Sequence, residues 1–349
     1  MQTISEKWKT INTLKGVAVL TVMANHYLNY YVSGNYYGIA NAVIAIFFVI
    51  SGYGIYGSLE KRFSSGAEVG KVVLAFWVDR LLRIYPLFLL AIIIQSFVLG
   101  KKYQFIAYLG MRGPDQFWFV TAIMLCYAVA PFFSLYLQKM GARRFALVLI
   151  GHFLFWNLFG MGASYANFPF NKYFWQDPLA YRGLFLSYFV LFGLGMCFAK
   201  QEHALSLKVP RGRFGRLCEN LSLFAALALL LVVWKSLTIG NLQNAEQLKI
   251  VVDVIFYAVG MYAFWRFLVN GIRIPWMRFF GEYSLSIYLF HLVYFKLLEA
   301  VYLIKSGVWQ SVFWVLAGLP LFFLLCMFSE RVVASRLQCR LRPLIFRFV

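Results

Sequence analysis

The sequence predicts an all-α polytopic membrane protein with about ten transmembrane helices and both termini cytoplasmic, and three observations carry that reading. Hydrophobic residues make up 62% of the chain, aromatic residues 20% and charged residues only 13%, with mean hydropathy +0.71, a composition that calls for a nonaqueous solvent. The apolar runs last about 18 to 23 residues without alternating polarity, as helices crossing the hydrocarbon core require; the strands of an outer-membrane barrel would alternate. The basic residues, finally, gather in every second connection between those runs.

Ten spans follow, at about 11–31, 37–59, 72–99, 116–137, 144–163, 181–199, 218–239, 248–269, 282–303 and 308–329. The first contains Asn25 and His26 and lacks a small-residue cleavage site after it, so it reads as a retained helix rather than a signal peptide. The second carries Phe47-Phe48-Val49-Ile50-Ser51-Gly52-Tyr53-Gly54, whose small residues allow close helix approach. The third joins an amphipathic stretch, Lys71–Arg83, to the apolar run Ile84–Leu99. His152 in the fifth span and Asp253 in the eighth read as local hydrogen-bonding residues, and His203 as a solvated loop residue after the sixth.

With the N-terminus in the cytoplasm, 24 of the 33 basic residues fall inside, 8 fall outside, and Lys296 lies within a helix. The positive-inside rule favours that orientation. It also accounts for the net charge of +20 through topology, with no nucleic-acid partner. The longest outer segment, about 161–180, is rich in aromatics and reads either as an interfacial belt or as a surface that stacks on a sugar ring. No fixed-period repeat or low-complexity linker divides the chain, so residues 1–349 are expected to form a single transmembrane domain. The five cysteines are odd in number and show no paired ligand spacing, so neither a disulfide nor a zinc site is expected.

His26 is the leading site candidate, because an ionisable group at membrane depth is a functional hypothesis by default. A rise of about 1.5 Å per residue places it roughly 16 Å beyond Lys15, near the midplane if Lys15 marks the inner boundary. Desolvation there disfavours the imidazolium, so a ring nitrogen stays free to accept a proton, which is the state of a general base. The other reading is a histidine that bonds neighbouring helices together. Asn25, Tyr27, Asn29 and Tyr30 make that half of the helix polar, which favours a cavity.

Arg80 and Arg83 are three apart and share a helix face, where their guanidinium forks would suit phosphate oxygens or serve as topology anchors. Asp79 would pair one of them. His291 in the ninth span is the second candidate histidine, with Tyr288 one turn before it. Lys296 and Glu299, spaced i and i+3, are expected to neutralise each other.

Taken together, the motifs resemble those of the acyltransferase-3 family of membrane acyltransferases. The likeness rests on a basic residue, ten residues and a histidine (Lys15 to His26); an aromatic segment ending Ser51-Gly52-Tyr53; Arg80, Arg83, Tyr85 and Pro86; Trp118, Phe119 and Pro131; and Gly281, Ser284, Tyr288 and His291. It covers essentially the whole chain. Many members begin Asp-Gly-Leu-Arg-Gly where this chain has Asn12-Thr13-Leu14-Lys15-Gly16: Lys15 keeps the charge but loses the fork, and Asn12 removes a carboxylate. Many also append a soluble esterase-like domain, which is not expected in a chain ending about 20 residues past its last span.

The resemblance implies an O-acyltransferase of the bacterial inner membrane that moves an acyl group, usually acetyl, from acetyl-CoA or another acyl-CoA to a carbohydrate of the cell envelope, without a metal. It implies coenzyme A phosphates near Lys15, Arg80 and Arg83, and His26 as general base or as acyl carrier in a relay. Asn25, Ser51, Tyr85, Trp118, Tyr288 and His291 are the candidate lining residues. The acceptor would be a polysaccharide, a lipid-linked oligosaccharide or a glycolipid, with membrane lipids as surroundings. The alternative is a transporter or flippase for a lipid-linked or anionic glycan, with His26, Asp253 and Glu299 as pathway groups. A structural subunit of a glycan-assembly complex is the third reading.

Overall fold

A computed structural model describes residues 4–32, 37–100, 103, 117–165, 188–204, 274–301 and 310–345. Among these the chain is helical throughout, with no strand. The helices are α1 Ile4–Tyr27, α2 Tyr37–Phe63, α3 Val69–Leu99, α4 Trp118–Met140, α5 Ala142–Tyr165, α6 Tyr188–Ala204, α7 Pro275–Glu282, α8 Ser284–Ala300, α9 Gln310–Phe328 and α10 Arg336–Ile345. Two π-helical stretches interrupt the regular winding: π1, Leu28–Val32, after α1, and π2, Ser329–Ser335, between α9 and α10. Among the described residues, four helical segments are long and apolar enough to cross a membrane: Val43–Phe63, Val69–Val98, Trp118–Met140 and Ser311–Pro343.

The predicted spans at 218–239 and 248–269, with Asp253 and Cys218, lie outside the described residues, as does nearly all of the outer aromatic segment. The other spans fall on described helices, with three corrections. The ninth starts at Ser284, because the chain breaks at Tyr283 between the short helix α7 and α8. The tenth runs on through π2 and α10 to Ile345. His203 lies in the last turn of α6, not in a loop, because the helix continues to Ala204.

Helix α1 packs along α2, α7 and α8, while α2 packs along α6 and touches α3 and α4. Glycines set the closest of these contacts. A Cβ on Gly16 would strike the Met277 carbonyl, and one on Gly281 would strike the Asn12 carbonyl, so α1 and α7 meet backbone to backbone. Gly52 faces the Phe192 carbonyl and Gly195 the Val49 carbonyl in the same manner between α2 and α6. Small residues permit such approach in helices whose apolar surface gains little from leaving lipid. The expectation that the second span's small residues serve packing therefore holds for Gly52. Around them the core is aromatic, with Phe48, Tyr56, Phe76, Phe88, Phe117 and Phe192 fully buried.

Candidate active site

The α1–α8 seam holds the two leading histidines. His26 Nδ1 and His291 Nε2 are 2.6 Å apart, and the rings lie nearly parallel at 6° with centroids 4.8 Å apart. His291 Nδ1 is 2.7 Å from the Tyr288 carbonyl oxygen. A carbonyl only accepts, so His291 Nδ1 carries the hydrogen and donates it. In the neutral ring Nε2 is then the acceptor, and His26 Nδ1–H donates to it. That order leaves His26 Nε2 with a lone pair, assigned from the hydrogen-bond network rather than from observed protons.

The position of His26 follows from local winding. It ends the regular part of α1, and π1 begins two residues later. Single π turns are frequent at functional sites because the extra residue re-aims the side chains around it. Beyond the histidines, Tyr31 and Lys296 both donate to Glu299 Oε2, at 3.0 and 2.6 Å. The expected Lys296–Glu299 pairing is thus present, with a phenol added. Tyr30 stands 55% exposed with its ring centroid 6.3 Å from that of His26.

At the other end of the seam lies a cavity of about 530 Å³ that brings Lys15, Arg80 and Arg83 together with Ser51, Tyr288 and Glu330. Arg80 packs its guanidinium over the rings of Phe76 and Tyr127, at 5.2 and 5.8 Å from their centroids. Its buried Nε has no hydrogen-bond partner among the described residues. Arg83 is exposed and Lys15 lies 6.0 Å from the Trp8 ring. Arginine at the wall of a cavity, held by aromatic faces with a donor unused, is a ready anion site.

Sequence reasoning missed Glu330. It sits in π2, lines the cavity beside the three cations, and accepts a 2.8 Å hydrogen bond from Ser286 Oγ. In sequence it reads as a boundary acid at the end of a span; only the π2 winding and the α8 contact bring it in. Asp79 also departs from expectation. It pairs with Arg62 at 2.5 Å and Arg342 Nε at 3.0 Å, leaving its neighbours Arg80 and Arg83 to the cavity. Asn25, Tyr85, Trp118 and His291 are not among the described residues lining that cavity, and neither is His26. Asn25 accepts from Asn29 at 2.9 Å, Tyr85 packs on Phe88, and Trp118 on Tyr188. His152 is on an exposed part of α5. Cys126, Cys197, Cys326 and Cys339 are free thiols, and among the described residues no cluster of three or more His, Cys, Asp or Glu is placed to hold a metal ion.

Fold and site together define a multi-pass helical membrane protein with a cation-lined cavity and, one turn of α8 beyond Tyr288 in its wall, a histidine pair in which His291 is buried and His26 half-buried. Residues 8–331 match the acyltransferase-3 family, described as an acyltransferase domain, and the chain belongs to that family. No curated protein and no solved structure matches it.

Proposed function

We propose that this membrane acyltransferase is an O-acyltransferase of the bacterial inner membrane. It would take an acyl group, acetyl in the simplest case, from acyl-CoA on the cytoplasmic side. It would deliver that group to a hydroxyl of an envelope polysaccharide, lipid-linked oligosaccharide or glycolipid. The observation that carries this reading is the content of α1, which presents Lys15 to the cavity shared with Arg80 and Arg83 and presents His26 to His291. The separation along α1 is about 16 Å at 1.5 Å per residue, a length of the order of an extended pantetheine arm.

In this reading the CoA phosphates bind Arg80, Arg83 and Lys15, with the unused Arg80 Nε as one donor. The thioester then extends toward the histidines. His26 Nε2 removes the proton of the acceptor hydroxyl, and that oxygen attacks the thioester carbonyl carbon. As the tetrahedral intermediate collapses, the C–S bond breaks, and the His26 imidazolium returns its proton to the thiolate. His291 holds the ring in the needed tautomer through Nδ1–H of His26, as the orienting member of a catalytic pair does. A relay through acylated His26 Nε2 uses the same lone pair. Family membership supports transfer over transport of a glycan.

The test is purified full-length protein in lipid nanodiscs with radiolabelled acetyl-CoA and candidate glycans. Label should pass to the acceptor with wild type and fail to do so with His26→Ala. Full transfer by that variant would remove the catalytic assignment, and coenzyme A affinity unchanged in Arg80→Ala/Arg83→Ala would return those residues to the role of topology anchors.

A further inference from the structure

Aromatic rings, not the histidines themselves, line the cavity on the side of the histidine pair. Phe119, the second residue of α4, has its ring 5.0 Å from Tyr288 and 5.9 Å from Phe47, and all three residues line the cavity. Tyr288 in turn has its ring 5.9 Å from that of His291, so this end of the cavity lies against the proposed base pair. Space behind the rings is already filled. Phe119 packs on Phe48 at 5.2 Å and near Trp118 at 6.3 Å, and Phe48 stacks on Tyr188 at 4.3 Å. Phe48 is fully buried and Phe119 nearly so. A group carried from the Lys15 end toward His26 therefore arrives among rings that cannot withdraw.

Resting on the donor reading above, we propose that Phe47, Phe119 and Tyr288 form the acyl pocket, and that Phe119 sets the length of the chain the protein accepts, restricting it to short acyl groups. Interiors of this kind are close-packed, so a longer chain must displace a ring whose far side has no room to receive it. Phe119→Ala opens a path toward Phe48 and Trp118, into which added methylenes would extend. Phe47 is only half-buried and has more freedom, so it bounds the pocket without closing it.

The experiment uses full-length protein in nanodiscs and non-transferable thioether analogues of acetyl-, butyryl- and hexanoyl-CoA, with dissociation constants measured by calorimetry. Wild type should bind the acetyl analogue more tightly than the hexanoyl one by about 10-fold or more, within the range a few methylenes command in a shaped pocket. Phe119→Ala should abolish or reverse that preference while leaving the affinity for free coenzyme A unchanged. Phe47→Leu, a milder change at a partly open position, should reduce the preference, and it keeps the test available should the alanine variant fail to fold. Equal affinity of wild type for all three analogues, or a preference unchanged in both variants, would overturn the assignment while leaving the donor reading intact. Failure of wild type to bind any CoA analogue would instead overturn the donor reading, and this inference with it.

Discussion

The histidine pair, from α1 and α8, and the cavity cations, from α1 and α3, are built on opposite terms. At the pair there is no formal charge to hold: each ring hydrogen has an acceptor, and the chain of bonds ends on the Tyr288 carbonyl. At the cavity there is an excess of charge, with Lys15, Arg80 and Arg83 facing Glu330 and with an Arg80 donor unused. A charge taken out of water needs a partner, whereas a neutral ring needs only its hydrogen bonds. Lys15 and His26 stand about three turns apart on α1, so under the proposed function the field of the cations would lower the proton affinity of the base less than it would at contact distance.

The largest expected effect breaks one side of this division alone. His26→Ala should lower the turnover of acyl transfer by about 10²–10⁴-fold, the usual worth of a general base, while coenzyme A affinity stays within twofold or so. Loss of both would mean that the two regions act as one. Arg80→Ala/Arg83→Ala should do the reverse, raising the KM for acyl-CoA by roughly 10–100-fold, as expected for charged hydrogen bonds, with kcat retained. Steady-state kinetics at several salt concentrations would check it, since the wild-type affinity should fall with salt more steeply than the variant's.

His291→Leu should reduce kcat by about 10–100-fold with little change in KM, whereas His291→Gln, which can still accept from His26 Nδ1, should recover part of it. Equal losses in the two variants would argue against an orienting hydrogen bond. Gly281→Ala drives a methyl into the Asn12 carbonyl and should destabilise the protein by about 1–3 kcal/mol, seen as a lower melting temperature in detergent. Lys296→Ala should be the mildest: the exposed Lys296–Glu299 pair is worth about 0–1 kcal/mol, and melting should barely move.

Much of this arrangement was legible in the chain because its signals are local. Apolar run length located described helices, four of them long and apolar enough to cross a membrane; an imidazole inside such a run singled out His26, and the i, i+3 spacing of Arg80 and Arg83 put them on one face. What resisted reading was long-range or depended on irregular winding. His26 and His291 are 265 positions apart, and each looked like a separate candidate until the α1–α8 seam joined them. Glu330 needed the π2 stretch to turn it into the cavity. Asp79 looked local to Arg80 and Arg83, yet its partners come from α2 and α10. Asn25 and Trp118 carry the expected polarity and aromaticity but spend them on neighbours within the core.

With Gly16 against Met277 and Gly281 against Asn12, α1 and α7 touch through main-chain atoms, which do not compress or change rotamer. These contacts seat α1 beside Lys15, and the interval from Lys15 to His26 is set by the unbroken winding of α1, like the distance between two marks on a steel gauge. A donor whose arm is too short to span the marks, such as a thioester of a truncated pantetheine, must forgo one end or the other, so the helix itself would measure the molecule that enters it.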